Sequence, residues 1–94
     1  MEIIWRRVAL RDLASIHDYI AQDNPAAATR VRATIRYAVA ALSEHPYLGR
    51  AGRVEGTREL IIGSFPYIVA YRVAEETVRV LAVIHTSRQW PRRF

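Results

Sequence analysis

A chain of 94 residues, 51% hydrophobic and 24% charged, suits one globular domain with one core, short enough that a partner can add much of its stability. It has no cysteine, which excludes disulfide staples and thiolate metal sites, and no apolar run of about 18 residues or charged-then-apolar leader, so it reads as a soluble cytoplasmic protein without membrane contact. Its formal net charge is +5 and all 14 cations are arginine, which favours an anionic partner and supplies cations that cannot serve as general bases.

Glu2 to Arg6 (EIIWR) alternates as a short first strand with Ile3 and Trp5 on one face. From Val8 to Gln22, the positions Leu10, Leu13, Ile16, His17 and Ile20 recur at helical spacing, with Asp12 and Asp18 toward solvent. Asp23-Asn24-Pro25 stops this helix and starts another, Asn24 capping and Pro25 taking the first helical position. The second helix runs from Pro25 to Glu44, burying Ala28, Val31, Ile35, Ala38, Val39 and Leu42. It leaves Arg30, Arg32 and Arg36 toward solvent or a partner, and forms an antiparallel hairpin with the first helix.

His45-Pro46 ends the hairpin, and Gly49, Gly52 and Gly56 mark a long loop. Three strands follow, Thr57 to Ile62, Tyr67 to Val73 and Val78 to His85, the last two joined by a tight turn. VRVLAVI is apolar except at Arg79, the pattern of a strand covered on both faces in the middle of a sheet. The order predicts a single α+β domain over residues 1–94. In it a short N-terminal strand and a helical hairpin pack on one face of a small, mainly antiparallel sheet.

No phosphate-cradling glycine loop, HExxH or nucleophile elbow is present. His17, His45 and His85 lie in three different elements, so no metal site is expected. The tail TSRQWPRRF places His85, Arg88, Trp90, Arg92 and Arg93 at the open end of the last hairpin. Each has two readings. The arginines meet phosphate or an acidic surface, or stay solvated; Trp90 anchors a partner or folds back on the sheet. A lone histidine at a strand end fits a hydrogen-bonded structural residue. Arg58 and Arg72 bind anions on the open sheet face, or pair with Glu55, Glu59 and Glu75. Tyr67 and Tyr71 share one strand face, packing with their hydroxyls at the rim.

The segments RELIIGSFPYIVAYRV and ETVRVLAVIHTSRQWP, with a helical hairpin ending in EHPYLGR, occur in this order over essentially the whole chain. Together they resemble the RelE/ParE superfamily of bacterial type II toxins. The resemblance implies a toxin silenced by a cognate, ParD-like antitoxin whose C-terminal segment wraps it. One branch of the superfamily cleaves messenger RNA on the ribosome, and the ParE branch inhibits DNA gyrase and blocks growth. Metal-free RNA cleavage needs a base, cations for the phosphorane and an acid. Where those nucleases carry lysines this chain has Glu59 and Ile61, and where they carry an arginine it has Ile68. Only Arg88 keeps its cation, and no tyrosine follows Trp90. A second nuclease subgroup uses a histidine followed by tyrosine with an upstream glutamate; here Thr86 follows His85, and Glu44 or Glu59 would have to serve.

The resemblance therefore implies a ParE-like gyrase inhibitor with no cofactor and no catalytic residues. Arg58, Arg72, His85, Arg88, Trp90 and Arg92 are its expected target-binding residues, and Arg30, Arg32, Arg36, Tyr67 and Tyr71 its expected antitoxin contacts. The alternatives are an endoribonuclease acting on ribosome-bound mRNA through His85 and Arg88, or a non-toxic antitoxin-binding module.

Overall fold

A computed structural model describes residues 1–94. Its elements are β1 (Glu2–Trp5), α1 (Arg7–Ala21), α2 (Pro25–Ala40), a 3-10 turn (Ala41–Ser43), β2 (Arg50–Ala51), β3 (Arg58–Ile62), β4 (Tyr67–Ala74) and β5 (Thr77–His85). The break between the helices follows the expected chemistry. The N–H groups of Asp23 and Asn24 both bond the Ile20 carbonyl, and Asn24 Oδ1 accepts the Ala27 N–H at 3.0 Å ahead of Pro25. Helix α2 buries Ala28, Val31, Ile35 and Val39, and Leu42 follows in the 3-10 turn.

Helix α1 is rotated relative to its expected inner face. Ala9 and Leu13 are buried, with Ile16 and Ile20 packed on the core, while Leu10 is exposed. The inner stripe is thus Ala9, Leu13, Ile16 and Ile20, and Asp12, between them in helical spacing, turns toward the sheet instead of solvent.

The sheet has the order β1-β5-β4-β3-β2. Strand β1 runs parallel to β5 and every other pairing is antiparallel. The two-residue β2, inside the glycine-rich loop, is too short to show a period in the sequence. Strand β5 is buried along most of its length, as its composition predicts. One residue of it, Leu81, is an inserted bulge: Ala70 pairs with Ala82 but Tyr71 pairs with Val80. The bulge reverses the alternation, so Val83 and His85 share the helix-covered face with Val78 and Val80. Leu81, Ala82 and Ile84 line a separate cleft of about 310 Å³ with the tail residues Gln89, Pro91 and Phe94.

Strand β1 ends opposite Val80, leaving the outer edge of β5 beyond it without a strand neighbour. Asp12 takes that place, its Oδ2 accepting the Val83 N–H at 2.9 Å. No helix is long and apolar enough to cross a membrane.

Candidate functional site

The end of β5 opens into a cleft of about 590 Å³ lined by Asp12, Ser15, Ile16, Tyr19, Tyr67, Val83, His85, Ser87 and Arg88. The bulge at Leu81 puts His85 here, its ring edge-on to Tyr67 with centroids 5.3 Å apart. His85 Nδ1 receives the Ser87 N–H at 3.1 Å and lies 2.7 Å from Ser87 Oγ. A backbone N–H only donates, so these partners assign Nδ1 as acceptor and place the proton of the neutral ring on Nε2.

Burial pushes the Asp12 carboxyl above its usual range, against the opposing pull of the Val83 N–H and the Arg88 charge. Burial also raises Tyr67, helped by the neighbouring Tyr19. The cleft therefore combines one cation, several hydroxyls and two phenol rings, with its one carboxylate already bonded to backbone.

A second arrangement occupies the sheet face opposite the helices. Glu59 points there from β3, 2% exposed, and accepts from Arg50 Nη2 at 2.9 Å, from the Arg53 N–H at 2.8 Å and from Arg53 Nε at 3.2 Å. Burial alone would raise its pKa, but these donors outweigh it and hold the carboxyl below its ordinary range. Arg53 in turn lies 3.8 Å over the Trp90 ring, and Phe94 meets that ring edge-on at 6.5 Å. Trp90 has folded back, with its indole N–H shielded and unpaired.

The expected ion pairs around Arg58 and Arg72 do not form. Arg58 and Glu59 are adjacent on β3 and point to opposite faces. Arg58 instead donates to the Gly49 carbonyl and lies 4.9 Å over the Tyr47 ring, so it sits on the helix side rather than on the open face. Arg72 makes no ion pair with Glu75, and its Nε is shielded without a partner. Ile61 is 52% exposed on the face of Glu59, and Ile68 is buried.

Arg88, Arg92 and Arg93 are exposed, as are Arg30, Arg32 and Arg36 on α2, where Arg36 stacks over Trp5 at 5.5 Å. Tyr67 is buried but reaches the cleft. Tyr71 is 0% exposed: it sits in the core, not at the rim, and its hydroxyl is spent on Pro46 and Gly49. It has no surface to offer an antitoxin. His85 and Arg88 meet in the cleft, whereas Trp90 lies at Arg53 and Arg58 at the loop before β2.

Asp12, Ser87 and the pair Arg50 and Arg53 join these sites without standing out among the candidate residues of the sequence. Asp12 carried a signal, three residues after Ala9 and four before Ile16. The others are set by turns, which leave no period. No group of three His, Cys, Asp or Glu side chains is placed to hold a metal ion.

Over residues 3–90 the chain matches the family described as the ParE toxin of type II toxin-antitoxin system, parDE. It is 48% identical over 89 residues to the putative toxin Y4kP of Sinorhizobium fredii, covering 95% of this chain and 92% of that one. To Toxin RelE2 of Caulobacter vibrioides it is 36% identical over 87 residues, covering 93% and 97%. A solved structure described as the chromosomal ParDE TA system from P. aeruginosa is similar with a TM-score of 0.83 and 27% identity, over 93% of this chain and 97% of that chain.

Proposed function

This chain belongs to the ParE toxin family of type II toxin-antitoxin systems, and from that premise we propose that it is a cytoplasmic protein inhibitor of DNA gyrase, held inactive by a cognate antitoxin. What supports inhibition by docking rather than RNA cleavage is the open sheet face. Where the resemblance to the nucleases calls for cations, this chain has Ile61, Ile68 and Glu59, and Glu59 is neutralised by its own Arg50 and Arg53. None of these three positions offers a free cation to phosphorane charge. His85, Arg88, Trp90, Arg92 and Arg72 then serve as contacts for the target, and no cofactor takes part.

An antitoxin segment needs a groove, and one of about 600 Å³ lies between β1 and α2, lined mostly by Ile3, Trp5, Ala33, Tyr37 and Ala40 with Arg36. The exposed Arg30, Arg32 and Arg36 would draw in acidic antitoxin residues, speeding encounter with a body of net charge +5. A second reading, ribosome-dependent mRNA cleavage, rests on the meeting of His85, Arg88 and Asp12 in one cleft. The two separate cleanly in a gyrase supercoiling assay run beside primer extension on ribosome-bound message. The expected outcome is loss of supercoiling without cuts in the message. Normal supercoiling with A-site cuts would replace the first reading by the second, and inactivity in both would leave a non-toxic antitoxin-binding module.

A further inference from the structure

The motif EHPYLGR supplies a surface that neither the cleft nor the groove uses. Its residues 46–49 form a turn held from beneath by the sheet. The Tyr71 hydroxyl donates to the Pro46 carbonyl at 2.7 Å and accepts the Gly49 N–H at 2.8 Å. The Leu48 N–H bonds the His45 carbonyl at 3.1 Å, and Arg58 bonds the Gly49 carbonyl. Glycine is required at position 49, because a Cβ there would sit 2.7 Å from the Tyr71 ring and 2.8 Å from the Glu59 carbonyl. On this fixed base Tyr47 and Leu48 project into solvent, 63% and 60% exposed. A buried tyrosine, an arginine and a glycine thus hold two adjacent large apolar side chains away from the core.

Such a pair, ordered in advance, binds without a further ordering cost, and tyrosine is among the favoured anchors at interfaces. Arg58 stacks on the Tyr47 ring, so the projection carries a cation at its rim. Its shape decides the class of partner. A segment that wraps the toxin needs a groove, which β1 and α2 provide, whereas a convex knob needs a concave pocket on a folded protein.

We propose that Tyr47 and Leu48 form the knob by which this toxin docks to its target, seated in an apolar, acid-rimmed pocket of a folded protein and left free by the antitoxin. The inference rests on the chain acting by docking, and not on gyrase being the protein docked. The test compares wild type with a Tyr47→Ala/Leu48→Ala double variant and with Leu48→Asp. Three quantities are followed: growth arrest on induction, capture by the antitoxin encoded with the toxin, and inhibition of purified gyrase on relaxed plasmid. Both variants are expected to keep the wild-type melting temperature and antitoxin capture, and to lose target inhibition by roughly 30-fold or more, the loss of a hot-spot contact.

Growth arrest equal to wild type, or antitoxin capture lost in the same proportion, overturns the proposal. If wild type arrests growth while gyrase stays active, and the variants lose the arrest, the knob stands and the gyrase reading falls. If wild type and variants inhibit gyrase equally, the knob falls and the gyrase reading stands. A wild-type chain that does not arrest growth overturns both.

Discussion

Asp12 does the work of a strand that stops short. Its Oδ2 holds the Val83 N–H where β1 no longer runs beside β5, and it borders both the His85 cleft and the cleft beside the tail. Asp12→Ala leaves that shielded N–H unpaired, which costs about 1–3 kcal/mol. Asp12→Asn, whose carbonyl still accepts, is expected to lose less than half as much. Urea unfolding at constant slope reads both values, and equal midpoints for the alanine variant and wild type would remove Asp12 from this role. The residue was open to reading from the sequence only as an exception. A carboxylate on an inner helical stripe is usually placed outward, and its partner here is a backbone group that no side-chain pattern announces.

At the scale of elements, the β4–β5 hairpin shows one strained choice and one decisive irregularity. Glu75 and Glu76 connect the strands in two residues with φ of 52° and 61°, the primed turn that glycine and asparagine occupy with least strain. Replacing the pair by Asn-Gly should stabilise the domain by about 1 kcal/mol and raise its melting temperature by about 4–8 °C. Calorimetry showing no rise would mean that the turn carries no strain. The irregularity is the bulge at Leu81. Strict alternation from Val80 puts His85 on the face away from the helices, and the bulge returns it to the helix side beside Tyr67. Hydrophobicity cannot signal this, since every residue from Val80 to Ile84 is apolar and satisfies either face. The inner face of α2 was legible for the opposite reason: capping at Asn24-Pro25 and the run Ala28, Val31, Ile35, Val39 admit one arrangement.

For the whole molecule, the shifted groups fix how stability varies with pH. Glu59 titrates below its ordinary value in the folded state. Its contribution is complete above the unfolded carboxylate pKa and is lost as pH falls through the folded value. Tyr67 and Tyr71 titrate above theirs, both mainly through burial, so their contribution holds up to the unfolded phenol pKa and is lost as pH rises through the folded values. Asp12, raised by burial, acts in the opposite sense and gains stability as pH falls through its folded value, so the acid limb is the balance of Glu59 against Asp12. Glu59→Gln should flatten or reverse that limb while leaving the alkaline limb unchanged. An acid limb as steep as wild type would show that Glu59 is not its source. The α+β architecture, the helical hairpin, the burial of β5 and the superfamily are written along the chain, because period, caps and motif order are local quantities carried by neighbouring residues. It takes the folded arrangement to join Glu59 to Arg50 and Arg53, lay Trp90 on Arg53, turn His85 to Tyr67, and hold Tyr47 and Leu48 outside the core. Each of these depends on a bulge, a turn or a strand end that brings distant residues together, and hydrophobic periodicity holds no trace of such distances.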